Sequence, residues 1–176
     1  ARIQKLRAKW SEAERQFAEE TQQLRAPDAN GTLRLTFGHV MGYAPEDGLI
    51  ATPFTTLSGL VAKVGAFPFD APEHIVSAAR EGTRSPWVVP TLGNVPIDFL
   101  ADLDTTGGNS GSPCLDASGR LAGLLFDGVW ESVANDYVYD TDTNRSIVAD
   151  IRGTGWLLSQ SDNALWISQE MGLAPT

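Results

Sequence analysis

Ile3, Leu6, Trp10, Ala13, Phe17 and Leu24 recur at helical spacings, with Glu20 the only break, so one apolar stripe runs along about six turns of a predicted helix. Pro27 ends that helix at Ala26. A stripe so long needs a partner surface, and the expected partner is a helical unit otherwise absent from the chain; packing on the chain's own core is the alternative. Beyond the turn, Leu33, Leu35 and Phe37 alternate with Thr32, Arg34 and Thr36, the period of a half-buried strand. Short strands are expected at 39–43 and 48–52, either side of a Pro-Glu-Asp-Gly turn. Thr55 or Thr56 is placed to cap a short helix over Leu57, Leu60 and Val64, and Pro72 to open a second one through 75–80. A loop with at most a strand at 87–89 leads to alternation at Ile97, Phe99, Ala101 and Leu103. Strands are expected at 121–126, 137–139 and 146–151, then a helix over 162–171 stopped by Gly172. Many short strands with Gly and Pro turns read as mainly β: an antiparallel barrel or sandwich.

Composition narrows the function classes. With 42% hydrophobic and 20% charged residues in 176, the chain has the make-up of a folded globular domain rather than a disordered one. Thirteen Lys and Arg against 22 Asp and Glu give a net charge of −9, which repels phosphate backbones and anionic lipid, so neither nucleic acid nor membrane is an expected partner. No apolar run is long enough to span a bilayer. Cys114 is the single cysteine and is expected to be a buried thiol. The sequence begins with Ala inside a helical pattern, which is expected of a processed chain or a fragment.

The chemistry concentrates in Thr105-Thr106-Gly107-Gly108-Asn109-Ser110-Gly111-Ser112-Pro113, between two predicted strands. A serine nucleophile must sit on a tight turn with backbone N–H groups converging beside its hydroxyl, and Gly108 and Gly111 permit such a turn. Ser110 is the candidate nucleophile; its own N–H and that of Gly108 are the candidate oxyanion donors. The plainer alternative is a loop that only reverses the chain. An α/β-hydrolase elbow is excluded because a strand, not a helix, follows.

Gly-Asn-Ser-Gly-Ser-Pro resembles the nucleophile loop of trypsin-like serine peptidases. The longer set resembles the C-terminal part of the bacterial dipeptidyl-peptidase 7 and 11 family. It comprises residues 106–113, then Leu121-x-Gly123-Leu124-x-Phe126-Asp127-Gly128-x-Trp130-Glu131, Arg145-x-Ile147-x-x-Asp150-Ile151-Arg152, and upstream Pro27-Asp28-Ala29-Asn30-x-Thr32-Leu33-Arg34-Leu35-Thr36, Gly42-Tyr43 and Pro53-Phe54-Thr55-Thr56-Leu57. The resemblance implies the second half of a chymotrypsin-like double β-barrel over 27–176, and residues 1–26 as the end of an inserted helical domain. It also implies removal of dipeptides from free N-termini and a periplasmic or cell-surface location.

The same resemblance puts the catalytic His and Asp in an N-terminal half not present here, so the N-terminal half is an expected partner, peptides with a free N-terminus are the expected substrates, and this chain alone is expected to be nearly inactive. Neither His39 nor His74 lies in a catalytic motif. Asp127 is expected to help hold the substrate's α-ammonium, and Gly128 to leave the specificity wall open for an apolar P1 side chain. A turn role for Asp127, or recognition of a basic P1, are the alternatives. Glu131, Asp150 and Arg152 are expected to be structural. No metal or cofactor is expected, and a homodimer is possible. Gly153-Thr154-Gly155-Trp156-Leu157-Leu158 departs from the family pattern, so packing of the last strand and helix is expected to differ there. A trypsin-like or glutamyl endopeptidase and a non-catalytic binding module are the rival functions.

Overall fold

The computed structural model describes residues 2–22, 33–65, 67–81, 85–160 and 164–172. By contacts the chain divides into two units, 1–35 and 36–176. In the first, α1 (Arg2–Thr21) carries the predicted stripe on an exposed face, with Ile3, Leu6, Trp10 and Phe17 open to solvent and Arg15 clasped by Glu12 and Glu19 at 2.6 Å each. The helix is shorter than its apolar pattern predicts because Gln22 takes a left-handed backbone (φ 56°) that closes it at Thr21. Leu24 and the predicted end at Ala26 fall outside the described residues.

The second unit is a five-stranded antiparallel sheet in the order β1-β2-β5-β4-β3: β1 (Phe54–Thr56), β2 (Pro96–Ala101), β3 (Pro113–Leu115), β4 (Leu121–Gly128) and β5 (Ser146–Asp150). The mainly β, antiparallel expectation holds. Phe99, Ala101, Leu125 and Val148 project from the three central strands into one core, to which Phe54, Leu103, Cys114 and Ala122 add half-buried surface. The Cys114 thiol is thus half-buried rather than fully enclosed, and that burial pushes its pKa up.

A second core lies under the helices α2 (Leu57–Lys63), α3 (Glu73–Glu81) and α4 (Ile151–Ser159), where Leu57, Ile75, Val95 and Trp156 meet. Thr56 caps α2, its hydroxyl accepting from Gly59 N at 3.4 Å, as its position predicts. Burying an aromatic the size of Trp156 removes about 200 Å² from water, a transfer of roughly 5 kcal/mol as an upper bound.

Four expectations fail for identifiable reasons. Residues 33–37 alternate but join no ladder; Leu33, Leu35 and Phe37 are exposed, because period two fixes a strand's faces and does not supply a neighbour. The predicted strands at 39–43, 48–52 and 87–89 are reduced to isolated bridges, Val40 to Ala101, Tyr43 to Ala51 and Val89 to Asn94. Residues 137–139 form a turn tail, with Tyr137 and Val138 N–H groups donating to Ala134 O.

Lastly, α4 begins directly where β5 ends and is absent from the sequence reading, because Gly153 and Gly155 are poor helix formers. Their role is proximity: a Cβ on Gly153 would sit 2.6 Å from Pro96 O, and one on Gly155 2.6 Å from the Trp87 ring. Asp150 starts the helix, its carboxylate accepting from Arg152 N at 2.9 Å and pairing with the Arg152 guanidinium at 2.6 Å. The final helix α5 (Leu165–Glu170) ends before Gly172, at φ 68°, as predicted; its expected start at Asp162 lies outside the described residues.

Gly155→Ala should therefore force Trp87 out of place and lower stability by roughly 1–3 kcal/mol, read as a drop in urea midpoint at unchanged m-value. An unaltered midpoint would mean that the contact with Trp87 does not constrain α4.

Candidate active site

The Ser110 loop is fixed at three points. Asn109 and Thr106 close its base reciprocally, Thr106 N donating to Asn109 Oδ1 at 3.0 Å and Asn109 N to Thr106 O at 3.2 Å. On its far side the loop is sewn to β4: Gly111 N donates to Leu125 O at 2.7 Å, and Leu125 N donates to Ser112 O at 3.0 Å. Gly108 (φ 100°) and Gly111 (φ 86°) take left-handed conformations that bring Ser110 up between these anchors, which is the conformational demand their positions predicted.

Ser110 is exposed, and its hydroxyl donates to Phe126 O at 3.3 Å. Among the described residues nothing accepts from the N–H groups of Gly108 and Ser110, so both donors are free for a ligand. No imidazole reaches Ser110: His74 lies exposed on α3, and the His39 side chain is also exposed, its Nδ1 3.8 Å from Asp102 Oδ2. Neither histidine lines the cleft beside Ser110.

That cleft, of about 230 Å³, is lined by Thr105, Thr106, Gly107 and Ser110 on the loop side, Leu125 to Gly128 along β4, and Val129, Ser132, Val133, Asn135 and Asp136 beyond it. Asp127 reaches it because β4 is bulged. Leu125 faces Val148 and Asp127 faces the adjacent residue Ile147, so Phe126 is the extra residue. In a regular strand Asp127 would share the face of Leu125 and enter the core, where an unpaired carboxylate is costly. The bulge turns it outward, exposed, with Oδ1 accepting from Gly128 N at 2.8 Å.

Gly128 is less open than expected. A Cβ there would sit 3.3 Å from Ser132 Cβ, so the 3-10 helix Trp130–Ala134 leans directly on this glycine.

That 3-10 helix, with the turn after it, forms a wall the sequence reading missed. Val129 N donates to Arg145 O at 2.9 Å, and the Ser132 hydroxyl bonds both Arg145 O (3.2 Å) and Arg145 N (3.0 Å). Arg145 is 3% exposed and, among the described residues, meets no carboxylate; its guanidinium is met by the carbonyls of Gly42, Thr141, Asp142 and Asn144, and lies 5.7 Å from the centre of the Tyr43 ring. Tyr43 OH in turn donates to Glu131 Oε2 at 2.8 Å. Glu131 is thus bonded to Tyr43 within the wall, and Asp150 is paired with Arg152 at the start of α4.

Against this geometry, the chain matches the profile of the peptidase S46 family over residues 1–173. It is 36% identical over 169 residues to the Asp/Glu-specific dipeptidyl-peptidase of Shewanella putrefaciens, with 84% of this chain and 23% of the relative covered. It is 38% identical over 154 residues to dipeptidyl-peptidase 7 of Phocaeicola vulgatus, covering 84% of this chain and 20% of the relative. The crystal structure of Porphyromonas endodontalis DPP11 in complex with the dipeptide Arg-Asp superposes with a TM-score of 0.77 at 33% identity, over 88% of this chain and 22% of the other. The chain spans about a fifth of the length of these relatives.

Burial first, and then the Glu131 contact, push the Tyr43 phenol up to about 12 from an ordinary 10. A proton held more tightly in the folded state means that Tyr43's contribution to stability is complete below pH 10 and is lost as pH rises toward 12. Absorbance titration should show a tyrosine step near 12 that Tyr43→Phe removes; a Tyr43 step at an ordinary 10 would mean that the phenol is neither buried nor bonded to Glu131. The sequence, the sheet and these matches together place the chain in the peptidase S46 family.

Proposed function

We propose that this chain carries the nucleophile and P1 wall of a serine dipeptidyl-peptidase that removes dipeptides from the free N-termini of peptides. The observation that carries the reading is an exposed Ser110 hydroxyl on a left-handed loop, beside two uncommitted amide N–H groups, in the same cleft as the outward-turned Asp127. Ser110 Oγ attacks the carbonyl carbon of the second residue and gives its proton to a histidine supplied by an N-terminal half; that imidazolium returns the proton to the leaving amine of the third residue, and water hydrolyses the acyl-enzyme. The N–H groups of Gly108 and Ser110 meet the oxyanion, each worth roughly 10²- to 10³-fold.

Asp127 receives the substrate's α-ammonium, so the enzyme counts two residues from the terminus. The S. putrefaciens relative is named for Asp and Glu, but the residues lining this cleft include two carboxylates, Asp127 and Asp136, and no Lys or Arg. An acidic P1 would enter it without a counter-ion, which favours an apolar P1. A periplasmic or cell-surface location goes with this reading.

Kinetics of the intact peptidase on dipeptidyl coumarin amides test it. Asp127→Asn should lower kcat/KM on free N-termini by roughly 10- to 100-fold, the worth of a charge-assisted hydrogen bond, with little effect on N-acetylated substrates. An apolar P1 should outrun Asp and Glu by at least about tenfold. Equal cleavage of blocked and free substrates by the unaltered enzyme would overturn the exopeptidase reading, and a preference for acidic P1 would overturn the assignment of the wall.

A further inference from the structure

Two walls of the cleft, the loop side at Thr105–Gly107 and the 3-10 side at Ser132–Asp136, come from chain segments separated by all of β3 and β4. Polar side chains tie them together inside the unit. Asn135 Nδ2 donates to Thr105 O at 3.3 Å, and both residues line the cleft. Thr105 is held from its other side, its Oγ1 lying 2.6 Å from Ser146 Oγ, and Ser146 Oγ also donates to Leu103 O at 3.0 Å. Behind Asn135 stands Asn144, 1% exposed, its side-chain amide in direct contact with that of Asn135. That contact holds the Asn135 side chain in place beside Thr105. Ser146, also 1% exposed, opposes Gly128 across the β4–β5 ladder, so the tie runs beside the glycine of the P1 wall.

Buried asparagines and serines are costly unless bonded, and ordinary packing would be served as well by apolar residues. A polar chain that ends on a group facing the cleft is instead suited to fixing the distance between its walls. We propose that Asn135, held in orientation by Asn144, is a specificity-determining residue: its side chain spans from one wall to the Thr105 carbonyl and sets how large a P1 side chain the subsite admits. The inference rests on the proposed dipeptidyl-peptidase function and assigns a further residue to it.

Removal of the Asn135 amide frees the walls and adds space next to P1. In the intact peptidase, fluorophosphonate labelling of Ser110 reports separately whether Asn135→Ala still presents the nucleophile, whose anchors to β4 lie at Gly111 and Ser112. Over a series of free N-terminal substrates with Ala, Val, Leu, Phe and Trp at P1, the ratio of kcat/KM for Trp over Ala should rise at least about tenfold, the scale at which pocket size discriminates side chains.

Asn135→Ser, shorter but still polar, should move the ratio the same way by less, and serves if the alanine variant does not fold. A uniform fall across the series, or an unchanged ratio with labelling intact, in whichever variant folds, would overturn the inference and reduce Asn135 to a structural role. Absence of labelling in the unaltered enzyme would instead sink the serine-peptidase reading itself.

Discussion

The arrangement depends on one irregularity in one strand. β4 has to do two incompatible things: bury Leu125 against Val148 in the core and, two residues later, hold a carboxylate in water. A regular strand puts residues two apart on the same face. The extra residue at Phe126 breaks that parity, so that the apolar face ends at Leu125 and Asp127 emerges. Because the Ser110 loop is bonded to β4 at Leu125 and Phe126, the serine and the carboxylate are registered to each other through a single stretch of backbone. Misplacement of either by a fraction of an ångström is resisted by the same sheet hydrogen bonds that hold the core.

What surrounds this strand divides into a donor side and a recognition side. On the donor side, the N–H groups of Gly108 and Ser110 have no acceptor among the described residues, a condition that persists because the loop is exposed and water can serve them. On the recognition side, a short 3-10 helix is hung from Arg145, whose buried guanidinium is satisfied by carbonyls rather than by a carboxylate. Carbonyl partners fix its position without adding an anion to a cleft that already carries Asp127 and Asp136.

The sequence disclosed the parts with strong local signatures. The turn at Ser110 was legible because Gly108 and Gly111 stand where a tight loop needs left-handed backbone, and the central strands because their alternation coincides with real burial. Thr56 announced α2 by its capping chemistry. The bulge was invisible, since nothing in Leu-Leu-Phe-Asp-Gly says which residue lacks a partner until the ladder with β5 is known. The recognition wall was missed for a similar reason: Asn135, Asn144 and Arg145 act across long separations, and a lone Arg or Asn in a loop reads as solvated. Strand 33–37 was overread because alternation carries no information about pairing, and α4 was overlooked because its two glycines serve close contact rather than helix propensity.

The most direct test of the account is a crystal structure of the intact peptidase treated with a dipeptidyl phosphonate bearing a free N-terminus. Phosphorus bonded to Ser110 Oγ, its oxygen within hydrogen-bond reach of the N–H groups of Gly108 and Ser110, and the ligand's ammonium on Asp127 is the predicted result. An adduct on another residue, or a phosphonyl oxygen directed away from those two amides, would contradict it.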